Sequence, residues 1–537
     1  MNTSGKKQER EVTTEIIIDG ERQIGRISPF IFGQNLEPAT CKKITWENSK
    51  LSDNRNLRKD VLEIIKKNIK VPMVRWPGGN FASQYHWRDG VGPASTRPVM
   101  FETAWRTKEN NSFGTDEFIR FCRLIDAEPF ITVNAGSGTI DEAVGWVEYC
   151  NMGEDPVSVS KQGLIIPWSL ESVRGLKRSK YARLREQNGN PDPYDVKYWS
   201  VGNETWGDFQ VGVMESLENA RKAAEYAKVM KQVDPRIKVT GVGMYLANNW
   251  RFFRSQSPKK SIDWNLDLLR HAGEIIDSIS VHRYFFREVG DAFSGVPFSG
   301  ENYLSLLACP IYSERKIKAL DGAIDLVMDD LSKQERIYIS FDEWDFGSRT
   351  LAHALATARF FNVLQRLSNS VKIACGEQWV ATVLEESLVV EAGHLAFELY
   401  QNHSGEIALD TSVQTEEYDT FIEEYRGFDF CTPPEDFKNV PYVDCSASMS
   451  GDRTKLYIAA VNAYQDRAEV CNFRLRDVTV KARGTVHELN GADILAANDL
   501  THPDKVRITE SVFDGAGSSF TYELPAHSAT ILELEVY

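Results

Sequence analysis

Eight short apolar runs, each followed by a longer stretch with apolar residues at helical spacing, constrain this chain more than any other feature. The runs are IFGQNLE (31–37), VPMVRWPGG (71–79), PFITVNAG (129–136), VKYWSVGNE (196–204), KVTGVGM (238–244), SISVHRYF (278–285), IYISFDEW (337–344) and VKIACGEQ (371–378). Short, nearly continuous apolar runs suit strands buried on both faces, as in a parallel sheet. Between the first two runs, Leu57, Val61, Ile65 and Ile69 recur every four residues, and Glu215 to Met230 and Ala354 to Leu367 read as further amphipathic helices. Eight strand-helix units predict a (β/α)8 barrel. An open doubly wound sheet is disfavoured, because no G-x-G-x-x-G phosphate fingerprint opens the first unit.

After about Leu395 the texture changes to alternating β-type runs such as LYIAAVNA and SSFTYELPAHSATILELEV, as in an antiparallel sandwich of jelly-roll type. TTEIIIDG (13–20) is an isolated strand signal ahead of the barrel. The expected division is a disordered N-terminus (1–10), a strand that joins the C-terminal sandwich (11–27), the barrel (28–390) and the β-sandwich (391–537). The stretch from Asn151 to Pro193 is longer than a usual connection and reads as a functional loop excursion.

A barrel gathers its chemistry at the C-terminal ends of its strands. Those positions carry Glu37, Arg75 with Asn80 just beyond, Asn134, Asn203 with Glu204, His282 with Tyr284, Glu343 and Gln378. Any one of them could be a structural hydrogen-bonder. Acids, amides, a guanidinium and an imidazole together at one rim are harder to explain that way, because buried polar groups are costly unless satisfied. Glu204 and Glu343 end the fourth and seventh runs and would share a pocket. Glycoside hydrolysis needs such a pair, one carboxyl to protonate the departing oxygen and one to attack the anomeric carbon or activate water. Asn203 would bond a ring hydroxyl beside that carbon. Trp206 and Trp344 could raise the acid's pKa by desolvation or simply pack, and Trp87 is either a stacking platform or a loop anchor.

The net charge of −15 disfavours nucleic acid and anionic membranes as partners, and no apolar stretch reaches the length of a membrane span. The start of the chain has no apolar secretory core, so a cytoplasmic location is expected. Eight scattered cysteines form no CxxC pair and read as reduced small hydrophobes. His282 has no second histidine at ligand spacing and no HExxH occurs, so neither metal nor cofactor is expected.

The motifs RWPGGNF with YHWRDGVGP, FGTDEFIRFCR, WVEYCN, GNE, HRY, ISFDEW, FELYQNHSG and LPAHSATILEL together resemble glycoside hydrolase family 51, the α-L-arabinofuranosidases, over nearly the whole chain. The resemblance implies a barrel with a β-sandwich, a retaining double displacement on terminal α-L-arabinofuranosyl units of arabinose-containing oligosaccharides, no metal, and a homo-oligomer, trimer or hexamer. By the same resemblance Glu204 is the general acid/base and Glu343 the nucleophile, while Glu37, Arg75, Asn80, Asn203, His282, Tyr284 and Gln378 bind the furanose or orient the acids. Gln34 and Pro38 stand where the family usually has histidines, and TWGDF replaces the usual sequence after GNE. These departures leave open a same-fold glycosidase acting on β-xylosides or β-glucans. A catalytically silent sugar-binding protein is the alternative of another class, which the intact acid pair disfavours.

Overall fold

All eight apolar runs become strands of one closed barrel in the computed structural model, which describes residues 14–37, 57–153, 179–246, 251–252, 260–284, 298–377, 381–384, 387–422, 425–426, 430–432 and 435–537. The strands are β1 (Gly33–Asn35), β2 (Met73–Trp76), β3 (Glu128–Val133), β4 (Tyr198–Val201), β5 (Lys238–Val242), β6 (Ser278–Tyr284), β7 (Tyr338–Asp345) and β8 (Val371–Gly376). Each pairs in parallel with its neighbours, and the circle closes where Cys375 and Gly376 of β8 meet Gly33 and Gln34 of β1. The expected disordered residues 1–10, Pro38, Gln378 and residues 154–178 of the excursion lie outside the described residues.

The helices that follow the strands are α1 (Lys59–Asn68), α2 (Thr115–Ile125), α3 (Ile140–Asn151), α5 (Ser216–Val233), α6 (Ser261–Ala272), α7 (Tyr303–Met328), α8 (Leu351–Arg366) and α9 (Ala392–Asn402), with the additional α4 (Lys180–Gln187) before β4. Their apolar stripes face the barrel, as Val61 and Ile65 of α1 do. Helix α9 follows β8 and packs on α8, so the eighth unit runs past residue 390. Helix α8 has no polar face to spare: every residue from Leu351 to Gln365 is buried. A helix apolar or buried all round belongs between two layers, and α8 lies between the barrel and the C-terminal sheet. Two of its polar groups reach the sheet, with Asn362 donating to Asp444 at 2.9 Å and Arg366 3.0 Å from the same carboxylate.

The C-terminal part is a nine-stranded sheet with a hydrophobic core of its own. The strand Thr14–Arg26 sits inside it, antiparallel to Ile407–Gln414 and parallel to Glu469–Arg476. Its alternating burial puts Ile16 and Ile18 into that core. The sheet's two edge strands, Arg507–Asp514 and Ser519–Leu524, meet through Phe513, whose ring lies 5.5 Å from Phe520 and 5.4 Å from Tyr522. The sheet therefore folds over on itself into two layers. Among the described residues no helix is long and apolar enough to cross a membrane. The cysteines Cys122, Cys150, Cys309, Cys375, Cys445 and Cys471 are free and buried.

Candidate active site

Strict alternation along β7 would send Asp342 and Glu343 to opposite faces. The register breaks instead, against β6 between Ser280 and His282 and against β8 between Phe341 and Trp344. An irregularity of this kind re-aims side chains at a barrel rim, and here both acids reach the same guanidinium. Arg75, fully buried on β2, donates from Nη1 to Glu343 Oε2 at 2.9 Å and to Asn35 Oδ1 at 2.8 Å, and from Nη2 to Asn203 Oδ1 at 2.6 Å. Its Nε lies 3.3 Å from Asp342 Oδ2. Strands β1 and β7 and the turn after β4 are thus tied to one side chain of β2.

The glycines of RWPGGNF permit this packing. A Cβ on Gly78 would stand 2.1 Å from Asn35 Oδ1, and Gly79, at a φ of +68°, has its Cα against the Glu37 carboxylate. That carboxylate accepts from the Phe81 N–H at 3.0 Å and from Trp105 Nε1 at 2.7 Å. Burial first, and then the charge of Glu377, push the Glu37 carboxyl well above its usual range.

After β4 the backbone turns sharply at Gly202 (φ +91°) and Glu204 (φ +42°), which folds the Glu204 carboxyl back over the barrel mouth. His282 Nδ1 lies 3.1 Å from Glu204 Oε1 and 3.5 Å from Glu343 Oε2. One oxygen of Glu204, one of Glu343 and a ring nitrogen of His282 all lie within 4.8 Å of one another. Ser280, His282 and Tyr284 share one face of β6. The Tyr284 hydroxyl donates to Glu343 Oε1 at 2.7 Å, and Ser280 Oγ donates to Asp342 Oδ1 at 2.6 Å while contacting His282 Nε2 at 3.0 Å.

The electrostatics follow from this crowding. Burial would depress the His282 pKa, but Glu343, Asp342 and Glu204 outweigh it and raise it to about 10, so the ring is a cation at neutral pH. Burial raises the Glu204 carboxyl; the His282 hydrogen bond opposes it and the Glu343 charge adds to it. Asp342 moves the other way: burial would raise it, yet Arg75 and His282 hold it below the usual carboxylate range.

Of the residues singled out by sequence, Arg75, Asn203, Glu204, His282, Tyr284 and Glu343 form one connected group, with Glu37 beside it. Asn80 stands at the edge and accepts from Gln210 Nε2. Asn134 turns away, bonding Ser137 and the Tyr85 carbonyl. Trp87 is a loop anchor, fully buried with Nε1 donating to the Glu142 carbonyl at 2.9 Å. Trp344 packs flat on Phe397 behind the strand. Three members were missed. Asp342 immediately precedes Glu343, and Asn35 stands two residues before Glu37. Glu377 adjoins Gln378; it accepts from Asn35 Nδ2 at 2.7 Å, and burial with the Glu343 charge pushes its pKa up to about 8. A consecutive Asp-Glu pair at a strand end was the available signal for a broken register.

Two family profiles match the chain, the α-L-arabinofuranosidase 1 domain over residues 66–263 and the α-L-arabinofuranosidase C-terminal domain over residues 344–528. A protein of Aspergillus clavatus named probable α-L-arabinofuranosidase C is 32% identical, with 99% of each chain covered. The crystal structure of the thermostable GH51 α-L-arabinofuranosidase of Thermotoga petrophila superposes with a TM-score of 0.76 at 34% identity, over 97% of this chain and 100% of that one. The chain belongs to glycoside hydrolase family 51. Another relative of this family 51 chain, at 29% identity over 84% of this chain and 85% of its own, is the intracellular exo-α-(1→5)-L-arabinofuranosidase of Halalkalibacterium halodurans. Of the departures from the family pattern noted above, Gln34 and TWGDF lie among the described residues. Gln34 is buried, with neither amide atom hydrogen-bonded among the described residues. In TWGDF, Thr205 Oγ1 bonds Asn219 at 2.8 Å and Trp206 packs edge-on against Phe209, which anchors the loop behind Glu204.

Proposed function

We propose that this glycoside hydrolase removes terminal α-L-arabinofuranosyl residues from arabinose-containing oligosaccharides by a retaining double displacement. The observation that carries the proposal is the approach of Glu204 and Glu343, with an oxygen of each inside 4.8 Å. Retaining enzymes hold their carboxyl groups about 5–5.5 Å apart, whereas inverting enzymes leave about 6.5–9.5 Å for a water.

Glu343 is the nucleophile. Arg75 and Tyr284 each bond one of its oxygens, which fixes the carboxylate for attack on the anomeric carbon. Glu204, raised by burial, is protonated when substrate binds and gives its proton to the leaving oxygen. Once Glu343 is esterified its negative charge is gone. One cause of the raised Glu204 pKa disappears with it, so the same carboxyl becomes a base and takes a proton from the incoming water. Asn203 offers an Nδ2 that is buried without a hydrogen-bond partner among the described residues, beside the nucleophile. It would donate to the sugar hydroxyl next to the anomeric carbon, a bond that strengthens as positive charge develops there.

The test is turnover of an aryl α-L-arabinofuranoside followed by NMR, with an aryl β-xyloside alongside and with Glu343→Gly. Release of the α-anomer first, abolished by the substitution, is the expected result. Inversion would refute the mechanism, and turnover of the xyloside alone would refute the sugar. Exo action and a cytoplasmic location are supported by the name of the Halalkalibacterium relative; digestion of a linear arabino-oligosaccharide to monosaccharide, and fractionation of the source cells, test them. A homo-oligomer, trimer or hexamer, follows the family pattern and is tested by light scattering.

A further inference from the structure

Far from the catalytic acids, two histidines and a glutamate converge where the barrel meets the β-sandwich. His403 follows the last turn of α9, His487 lies on the strand Val480–Asn490 and Glu533 on the adjacent strand Ser528–Val536. The sheet register pairs Thr485 with Glu533 and His487 with Ile531, so His487 and Glu533 are diagonal neighbours on one face. His487 Nε2 is 3.3 Å and His403 Nδ1 3.5 Å from the same oxygen, Glu533 Oε2. One donor atom from each of the three lies within 4.8 Å of the others.

Those spacings have a chemical meaning. Tetrahedral zinc, bound at about 2.0–2.1 Å by nitrogen and oxygen, places neighbouring ligands about 3.3–3.4 Å apart. We propose that His403, His487 and Glu533 form a binding site for a divalent transition-metal ion of zinc's class, clamping the barrel to the sandwich.

The surroundings fit this role. Lys455 Nζ takes Glu533 Oε1 at 2.5 Å, which orients the carboxylate and leaves Oε2 facing the imidazoles. Glu510, directly opposite His487 on the next strand, lies 3.8 Å from Nδ1, the nitrogen on the far side of the ring. A carboxylate in that position favours the tautomer that leaves Nε2 unprotonated, as in carboxylate-histidine-metal arrangements. Among the described residues, the polar atom that His403 Nδ1 faces is Glu533 Oε2, at 3.5 Å. The two rings are stacked, 3.5 Å apart and 17° from parallel, and an ion lying in both ring planes requires them to splay. Rotation of the His403 ring about its broad χ2 torsion supplies that movement. Two imidazoles with one carboxylate select zinc, copper or nickel over magnesium and calcium. The ligand spacing in the chain, 403 to 487 to 533, is set by topology and matches no sequence motif.

The experiment uses the full chain stripped with chelator, then titrated with Zn2+, Mg2+ and Co2+. Expected are one Zn2+ per chain, a melting temperature raised by about 3 °C at a hundredfold excess over Kd, and visible absorption from tetrahedral Co2+. All three should vanish in His403→Gln and His487→Gln. They should persist in His282→Gln, which removes the imidazole from the other cluster of possible ligands, at the active site. Mg2+ should do nothing. Absence of Zn2+ binding to the wild type, or binding and a Co2+ spectrum unchanged in His403→Gln and His487→Gln, overturns the proposal.

Discussion

Replacing Arg75 with Met removes the cation shared by two buried carboxylates while filling most of the same space. Asp342 is fully enclosed, Glu343 is 5% exposed, and both lie within 3.3 Å of the guanidinium. Breaking a buried pair by removing one partner costs about 3–5 kcal/mol, because the charge left behind is uncompensated. For a barrel of this size about 1.5 °C of melting temperature corresponds to 1 kcal/mol, so Arg75→Met should melt about 4–8 °C lower at pH 7. The pH dependence separates this cause from simple misfit. In the wild type Asp342 has a depressed pKa, so its contribution is fully present above the unfolded value of about 3.9 and is lost only as pH falls through the lower folded value. In the variant, burial acts without Arg75 and raises the carboxyl pKa, so the penalty stands above that raised value and is relieved as pH falls through it. Differential scanning calorimetry from pH 7 to 4.5 should find the gap between the two proteins narrowing. A gap below about 1 °C at pH 7, or one that does not change with pH, would refute the reasoning.

Three further outcomes are expected. Asn203→Ala should lower kcat/KM on an aryl arabinofuranoside by about 10²–10³, the equivalent of a transition-state bond worth several kcal/mol; an equal loss on the 2-deoxy sugar would show that no such bond exists. His282→Gln removes a hydrogen bond and a positive charge that both pull the Glu204 pKa down, so the alkaline limb of kcat/KM should move to higher pH, and a shift to lower pH would contradict the assignment of Glu204 as the acid. Glu377 has its folded pKa raised to about 8, so between about pH 4.3 and 8 the wild type loses stability that Glu377→Gln keeps; melting temperatures measured at pH 5 and 8 should diverge in the variant's favour, and parallel curves would count against a raised pKa.

The barrel was legible because parallel strands buried on both faces leave short apolar runs that no amphipathic helix imitates. Glu204 and Glu343 were legible for a related reason: an acid at the end of such a run has nowhere to go but the shared mouth. Asp342 was not legible. Alternation allows one inward residue where β7 supplies two, and the break that brings Asp342 to Arg75 depends on the registers of β6 and β8, which are non-local. Glu377 was passed over for Gln378 on the same one-residue ambiguity. The site at His403, His487 and Glu533 left no trace in the sequence, since its members meet only after the sheet has folded against α9. For Trp87, a large aromatic near a cleft reads the same whether it stacks on sugar or closes a loop, until its indole N–H is seen bonded to Glu142.

The strand Thr14–Arg26 has a consequence for how the chain is made. It leaves the ribosome before the whole barrel, but both of its sheet partners, Ile407–Gln414 and Glu469–Arg476, are made only after the barrel. At about 5–20 residues per second, synthesis keeps Ile16 and Ile18 waiting for on the order of half a minute or more before their core exists. The barrel can close in that interval, whereas the second domain must recruit a strand made before the barrel. A fragment begun at residue 27 would deprive the sheet of a central strand and split it between Ile407–Gln414 and Glu469–Arg476, so this enzyme cannot be divided into its two folding units by one cut.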